Sequence, residues 1–289
     1  MKVQDGFSTA VWLLPRPLRD EASSLPESAR QRAEEVRLRT GSPAALRLPE
    51  GEIPFGRDAV TPDVLGAVLE AATRASYHAV TDQLRRGFIN APGGVRVGVC
   101  GTAVLDGSLR GLREISSLCI RIPRQIPGAG GEIIPLVKDD SVLILSPPGG
   151  GKTTFLRELV RSVSDSGVRV SLADERGELG GMCGGVPQFD VGRCTDVLTG
   201  APKAEAAMLL LRAMGPEVVA MDEISAPEDA AAIETLAGCG VRIFATAHAA
   251  GTEEFFRRPI YERLARLGCF RKLVCISGGA RRKYEVKTL

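Results

Sequence analysis

The second half of the chain alternates two patterns. Short, unbroken apolar runs stand at 142–145, 168–173, 218–221, 241–245 and 273–276. Between most of them lie stretches with apolar residues at helical spacing, at about 153–166, 203–214, 227–239 and 252–267. A continuous apolar run suits a strand buried on both faces, and strands alternating with helices predict a covered parallel sheet. Ligands of such sheets gather at the carboxyl ends of the strands. The residues just after each run are therefore the ones to search for chemistry.

The first half has a different rhythm. Residues 36–39 and 44–48 alternate apolar and polar, with Thr40-Gly41-Ser42-Pro43 as a turn, and predict a hairpin. Residues 26–35 look helical. A longer helix opens at Thr61, with Pro62 in the first turn and Val64, Leu65, Val68 and Leu69 on one face, and is expected to run to about Leu84. Residues 88–90 and 95–99, around Pro92-Gly93-Gly94, predict a second hairpin, and 117–122 alternates again. These features predict a small α+β domain with a mostly antiparallel sheet. Glycine and proline at 126–131 separate the two rhythms. The expected division is 1–130 for the α+β domain and 131–289 for the parallel-sheet domain.

Composition narrows the class. Apolar residues are 44% and charged residues 25% of the 289, the balance of a globular protein rather than a disordered one. The net charge is +2, which gives no general case for a nucleic-acid partner. No apolar run reaches the roughly 18 residues of a membrane span, and the short apolar start lacks the pattern of a signal peptide. The 7 cysteines form no C-x-x-C pair and are expected to be reduced thiols of a cytoplasmic protein. Residues 257–289 are strongly basic, a solvated surface or a face for an acidic partner, a neighbouring subunit or anionic lipid.

The strand at 142–145 runs into Ser146-Pro147-Pro148-Gly149-Gly150-Gly151-Lys152-Thr153-Thr154, and a helix follows. Strand, glycine-rich turn and Gly-Lys-Thr at a helix start make a phosphate-binding P-loop. Its glycines let backbone N–H groups face phosphate, and the helix N-terminus adds partial positive charge. Residues 146–154 are thus the expected ATP-binding loop, with Lys152 on the β- and γ-phosphates and Thr153 on Mg²⁺. Ser146 replaces the usual first glycine; if that position needed a positive φ, serine would be strained there.

The strand at 218–221 ends in Asp222-Glu223. Asp222 is expected to hold Mg²⁺ and Glu223 to deprotonate the attacking water. A third strand ends at Thr246-Ala247-His248. In P-loop ATPases with an extra strand between the other two, a polar residue there faces the γ-phosphate; Thr246 or His248 could serve, and His248 is chosen. Asp174-Glu175-Arg176, with Glu178, ends another strand, where the acids could tune the metal shell or form salt bridges with Arg176. His78 is expected to be a helix-surface or packing residue. The only asparagine, Asn90, lies in the first domain, so the Asn-Lys-x-Asp guanine motif is absent. Ile276-Ser277-Gly278-Gly279 resembles an ABC-transporter signature but follows Asp222-Glu223 instead of preceding it. Arg281-Arg282-Lys283 is too short a run to establish nucleic-acid binding.

Several strings together carry a resemblance: 147–154, Asp174-Glu175-Arg176, Val191-Gly192-Arg193, Thr195-Asp196-Val197, Lys203-Ala204-Glu205, Asp222-Glu223-Ile224 and Thr246-Ala247-His248. In the first half they are joined by 35–39, 92–98 and Ile115-Ser116-Ser117-Leu118. In this order they resemble the stage III sporulation protein AA family over nearly the whole chain. The sequence departs at Ser146 and at Ser225, where glycine is expected. That family is similar to the ATPases of type II and type IV secretion and pilus machines. The resemblance implies an α/β protein, with a RecA/ASCE-like P-loop domain preceded by a smaller α+β domain.

It further implies an ATPase of endospore formation that energises or assembles the mother cell–forespore channel. The cofactors would be ATP and Mg²⁺, and the partners membrane-embedded sporulation channel proteins and further copies in a ring, hexameric in the secretion relatives. The protein would be cytoplasmic, peripheral at the mother-cell face of the forespore membrane. By the same analogy Arg96, Arg113, Arg121 or Arg124 would reach a neighbour's nucleotide, with Arg193 a candidate inside the ATPase domain. The alternatives are a nucleotide-dependent scaffold with little turnover and a nucleic-acid-dependent ATPase using the basic tail.

Overall fold

The structure is a computed structural model that describes residues 5–74, 81–249, 257, 259–278 and 282–289. The chain forms two compact units, one of Met1–Arg124 with Cys183–Gln188, the other of Gln125–Met182 with Phe189–Leu289. Each is described on its own.

In the first unit the helices α1 (Gly6–Val11), α2 (Arg16–Ser23) and α3 (Glu27–Arg32) precede the strands β1 (Glu35–Arg39), β2 (Pro43–Leu48) and β3 (Gly51–Ala59). Then come α4 (Pro62–Thr73), α5 (Thr81–Arg85), β4 (Phe88–Ala91), β5 (Val95–Asp106) and β6 (Ser108–Arg121). The sheet is antiparallel in the order β3-β2-β1-β6-β5-β4. Alternation places Val36 and Leu38 of β1, Leu46 of β2, Val97 of β5 and Ile120 of β6 in one core with Leu65, Val68 and Leu69 of α4. Thr61 caps α4 by accepting from the Val64 N–H. The helix ends at Thr73, with Arg74 in the left-handed conformation, rather than running on to Leu84. Residues 75–80, and with them the expectation for His78, lie outside the described residues. The predicted helix at 26–35 is shorter, because Glu35 already pairs with Arg47 in β1–β2.

The second unit holds α6 (Ile134–Val137), β7 (Val142–Ser146), α7 (Lys152–Asp165), β8 (Val170–Asp174), β9 (Thr195–Thr199), α8 (Lys203–Met214) and β10 (Val218–Met221). It continues with α9 (Pro227–Gly238), β11 (Arg242–His248), α10 (Pro259–Arg266), β12 (Lys272–Ser277) and β13 (Lys283–Thr288). The sheet order is β13-β12-β7-β11-β10-β8-β9, parallel except for β13. Successive residues of one strand feed two cores. Leu143 and Leu145 pack with Leu210, Ile233, Leu236 and Tyr261 on one face. Val142 and Ile144 pack with Phe155, Leu156, Leu159 and Val163 on the other. Burial on both faces explains why these strands are apolar throughout. No helix among the described residues is long and apolar enough to cross a membrane.

Candidate nucleotide site

The strand order fixes the site. β11 lies between β7 and β10, so the ends of three neighbouring parallel strands bring Ser146, Asp222 and His248 side by side. Ser146 closes β7 in an extended conformation and is 1% exposed. The strain considered for a non-glycine residue there does not arise, since its φ is not positive. Its hydroxyl donates to the Pro147 carbonyl at 2.9 Å. Gly150 makes the close approach instead: a Cβ there would stand 2.7 Å from Ser146 Oγ. A serine at 146 therefore demands glycine at 150.

Lys152 opens α7 and is nearly buried. Burial pulls its pKa below the ordinary lysine value, and Arg176 acts in the same direction, while Asp222, Glu223 and Glu178 oppose it. Its Nζ lies 3.1 Å from His248 Nδ1 and 2.9 Å from Nε2. His248 Nε2 is also 3.1 Å from Glu223 Oε1. With Nε2–H donating to Glu223, Nδ1 is the ring nitrogen left to accept from Lys152. Lys152, His248 and Glu223 thus form a continuous hydrogen-bonded chain.

Asp222 is held by two hydroxyls. Thr153 Oγ1 donates to Oδ2 at 2.9 Å, and Thr246 Oγ1 donates to Oδ1. Thr246 also accepts from the Glu223 N–H at 2.8 Å, and its carbonyl accepts from the Ile224 N–H at 2.8 Å. Those two bonds hold Glu223 at φ 55°, a left-handed conformation that is costly for a non-glycine residue and found at functional sites. The buried Tyr261 hydroxyl donates to the Ile224 carbonyl and anchors the same turn. Ser225 follows it, exposed, with its N–H donating to Asp229. Thr246 was one of two candidates from sequence; the structure gives it this linking position and places His248 between Lys152 and Glu223.

The acids after β8 do other work. Asp174 accepts from the N–H groups of Glu178, Leu179 and Gly180 and is 2% exposed. Glu175 pairs with Lys203 at 3.1 Å. Arg176 reaches across to Glu223 at 2.6 Å, an ion pair that sequence proximity to Asp174 and Glu175 does not reveal. Of the arginines considered for contacts across a subunit boundary, Arg96 stacks on Phe88, Arg121 faces Glu35, and Arg124 donates to the carbonyls of Gln31 and Ala33. Arg113 and Arg193 are exposed.

Thr153 and Asp222 offer two hard oxygen donors in contact, the share a protein gives to Mg²⁺ when phosphates and water complete its shell. Among the described residues no cluster of three or more His, Cys, Asp or Glu could hold a metal by itself. The donor set fits a cation that arrives with a phosphate ligand.

Residues 22–287 match the model of the family described as sporulation stage III, protein AA. The chain belongs to that family. It is 34% identical over 262 residues to stage III sporulation protein AA of Bacillus subtilis, spanning 87% of this chain and 85% of that one. Two solved structures share the fold of this family member. The pilus retraction motor PilT with bound ADP aligns with a TM-score of 0.64 and 16% identity, over 91% of this chain and 81% of that one. The ATPase DotB of Yersinia pseudotuberculosis aligns with a TM-score of 0.59 and 13% identity, over 92% and 80%. The fold is thus the α/β P-loop fold that these structures share, with a smaller domain ahead of the parallel-sheet domain.

Proposed function

We propose that the protein hydrolyses Mg-ATP and uses the cycle to energise or assemble the channel complex between mother cell and forespore. The observation that carries this reading is the convergence of Lys152, Thr153, Asp222, Glu223 and His248 at the ends of β7, β10 and β11. Family membership supplies the sporulation context, and the fold shared with an ATPase and a pilus motor supports nucleotide use.

Residues 146–154 wrap the phosphates, and Lys152 neutralises them. Thr153 and Asp222 hold Mg²⁺, which when bound offsets charge on the phosphate oxygens. Glu223 takes the proton of the attacking water. His248, bonded to both Lys152 and Glu223, registers whether the γ-phosphate is present. A developing negative charge calls for one more cation, and an arginine from a neighbouring subunit can raise the rate by roughly 10³–10⁵. This favours a homo-oligomeric ring, such as a hexamer, working at the cytoplasmic, mother-cell face of the forespore membrane. No nucleic acid is required. The scaffold alternative draws on one observation: Arg176 and His248 both engage Glu223, so the base is tied up in this arrangement.

The test is ATP turnover per chain against protein concentration. A ring motor shows specific activity that rises with concentration and falls to background with excess EDTA. A flat, near-zero rate at all concentrations, with nucleotide binding intact, favours the scaffold and contradicts the motor.

A further inference from the structure

The hairpin β12–β13 returns the chain to the phosphate loop. Gly151, the residue before Lys152, has φ 92°. A Cβ built on it would stand 2.5 Å from Cζ, 2.6 Å from Nε and 2.7 Å from Nη2 of Arg282. The guanidinium therefore rests directly on the backbone at the start of α7. The left-handed conformation favours glycine at 151, and the missing side chain leaves room for the guanidinium to lie against the backbone.

The N-terminus of α7 carries partial positive charge, and Lys152 adds a full one. A second full charge is set down beside them. Among the described residues, the Arg282 side chain forms no hydrogen bond or ion pair. The acids nearest the loop are already engaged: Asp222 by Thr153 and Thr246, Glu223 by Arg176 and His248. Arg282 thus sets a second cationic side chain beside the start of α7, the arrangement that a site for a multiply charged anion requires.

Resting on the nucleotide-site reading above, we infer that Arg282 is a second phosphate ligand of the same chain, carried by the C-terminal hairpin. It grips the phosphate chain of nucleoside di- and triphosphates, not the base. The role explains one residue of a basic run that sequence alone leaves as surface charge. It also brings the residue that leads into β13 to the nucleotide site.

The test compares Arg282→Ala with the unaltered protein by titration calorimetry, using Mg-ADP and magnesium tripolyphosphate as probes and Lys152→Ala as reference. The unliganded melting midpoint checks that the variant folds. A charge-assisted contact is worth about a tenfold change in Kd or more, so both probes are expected to bind at least about tenfold more weakly. An unchanged or tighter Kd for Arg282→Ala, with Lys152→Ala impaired, overturns the assignment while the nucleotide site stands. Weakening for Mg-ADP alone assigns the guanidinium to the base and overturns it too. If the unaltered protein binds neither probe, the nucleotide-site reading fails and takes this one with it.

Discussion

Replacing Glu223 with glutamine is expected to lower ATP turnover by about 10²–10⁴-fold while leaving the affinity for Mg-ATP within a few-fold of the unaltered protein. The amide keeps the size of the side chain and can still accept from His248 Nε2–H, but it cannot take a proton from water. Its backbone is fixed independently of the side chain, through the Glu223 and Ile224 N–H groups on Thr246, so the left-handed turn should survive. The phosphate loop is not touched by the change. The loss should therefore appear in kcat, with binding measured separately by calorimetry. A turnover within tenfold of the unaltered enzyme would remove Glu223 as the base. A parallel loss of binding would mean that the carboxylate mainly organises the site.

Asp174→Ala is expected to cost about 3–5 kcal/mol of folding stability, read from the shift of the urea midpoint. Asp174 accepts three backbone N–H groups of the loop after β8. The same loop accepts from Arg157 of α7, whose Nε donates to the Leu179 carbonyl at 2.8 Å and whose guanidinium lies over the Phe189 ring. Arg157 is 6% exposed, and burial pulls its pKa down to about 10 against the pull of Asp174, Asp222 and Glu178. Truncation leaves three donors without an acceptor and a buried cation with one fewer counter-charge. Burial raises the Asp174 pKa, so the folded state keeps that proton to higher pH than the unfolded chain. That contribution to stability is complete below the unfolded carboxylate's range and is lost as pH rises through the raised value. The variant should lack this slope. A stability loss below about 1 kcal/mol would show that water can replace the carboxylate.

The parts of the fold that sequence revealed are those buried on both faces. β7, β8, β10, β11 and β12 are apolar runs because helices cover both sides of their sheet. β3, β9 and β13 escaped notice for the opposite reason. β3 and β13 are edge strands with mixed, mostly exposed residues, and β9 closes the other edge of its sheet with a mixture of half-buried and exposed residues, none of them buried. The helices α1 and α2 are short and carry no long apolar stripe. In the candidate site, the phosphate-loop motif nominates Lys152 and Thr153, and the type of residue at the end of a strand nominates Asp222, Glu223 and His248. Their connections were not legible, because each crosses between strands distant in sequence. The pairing of Arg176 with Glu223, the double use of Thr246 and the contact of Arg282 with Gly151 follow from the order of strands, which no local pattern encodes.

The functional expectations depend on Mg-ATP being held at the ends of β7, β10 and β11. Thermal unfolding with and without Mg-ATP, for the unaltered protein and for Lys152→Ala, tests that most directly. Ligand at about 100 times its Kd should stabilise the unaltered protein by about 2.7 kcal/mol, a clear rise in Tm, and should leave Lys152→Ala where it melts alone. An unaltered protein whose Tm does not respond to Mg-ATP, or a Lys152→Ala variant that responds equally, would contradict the account.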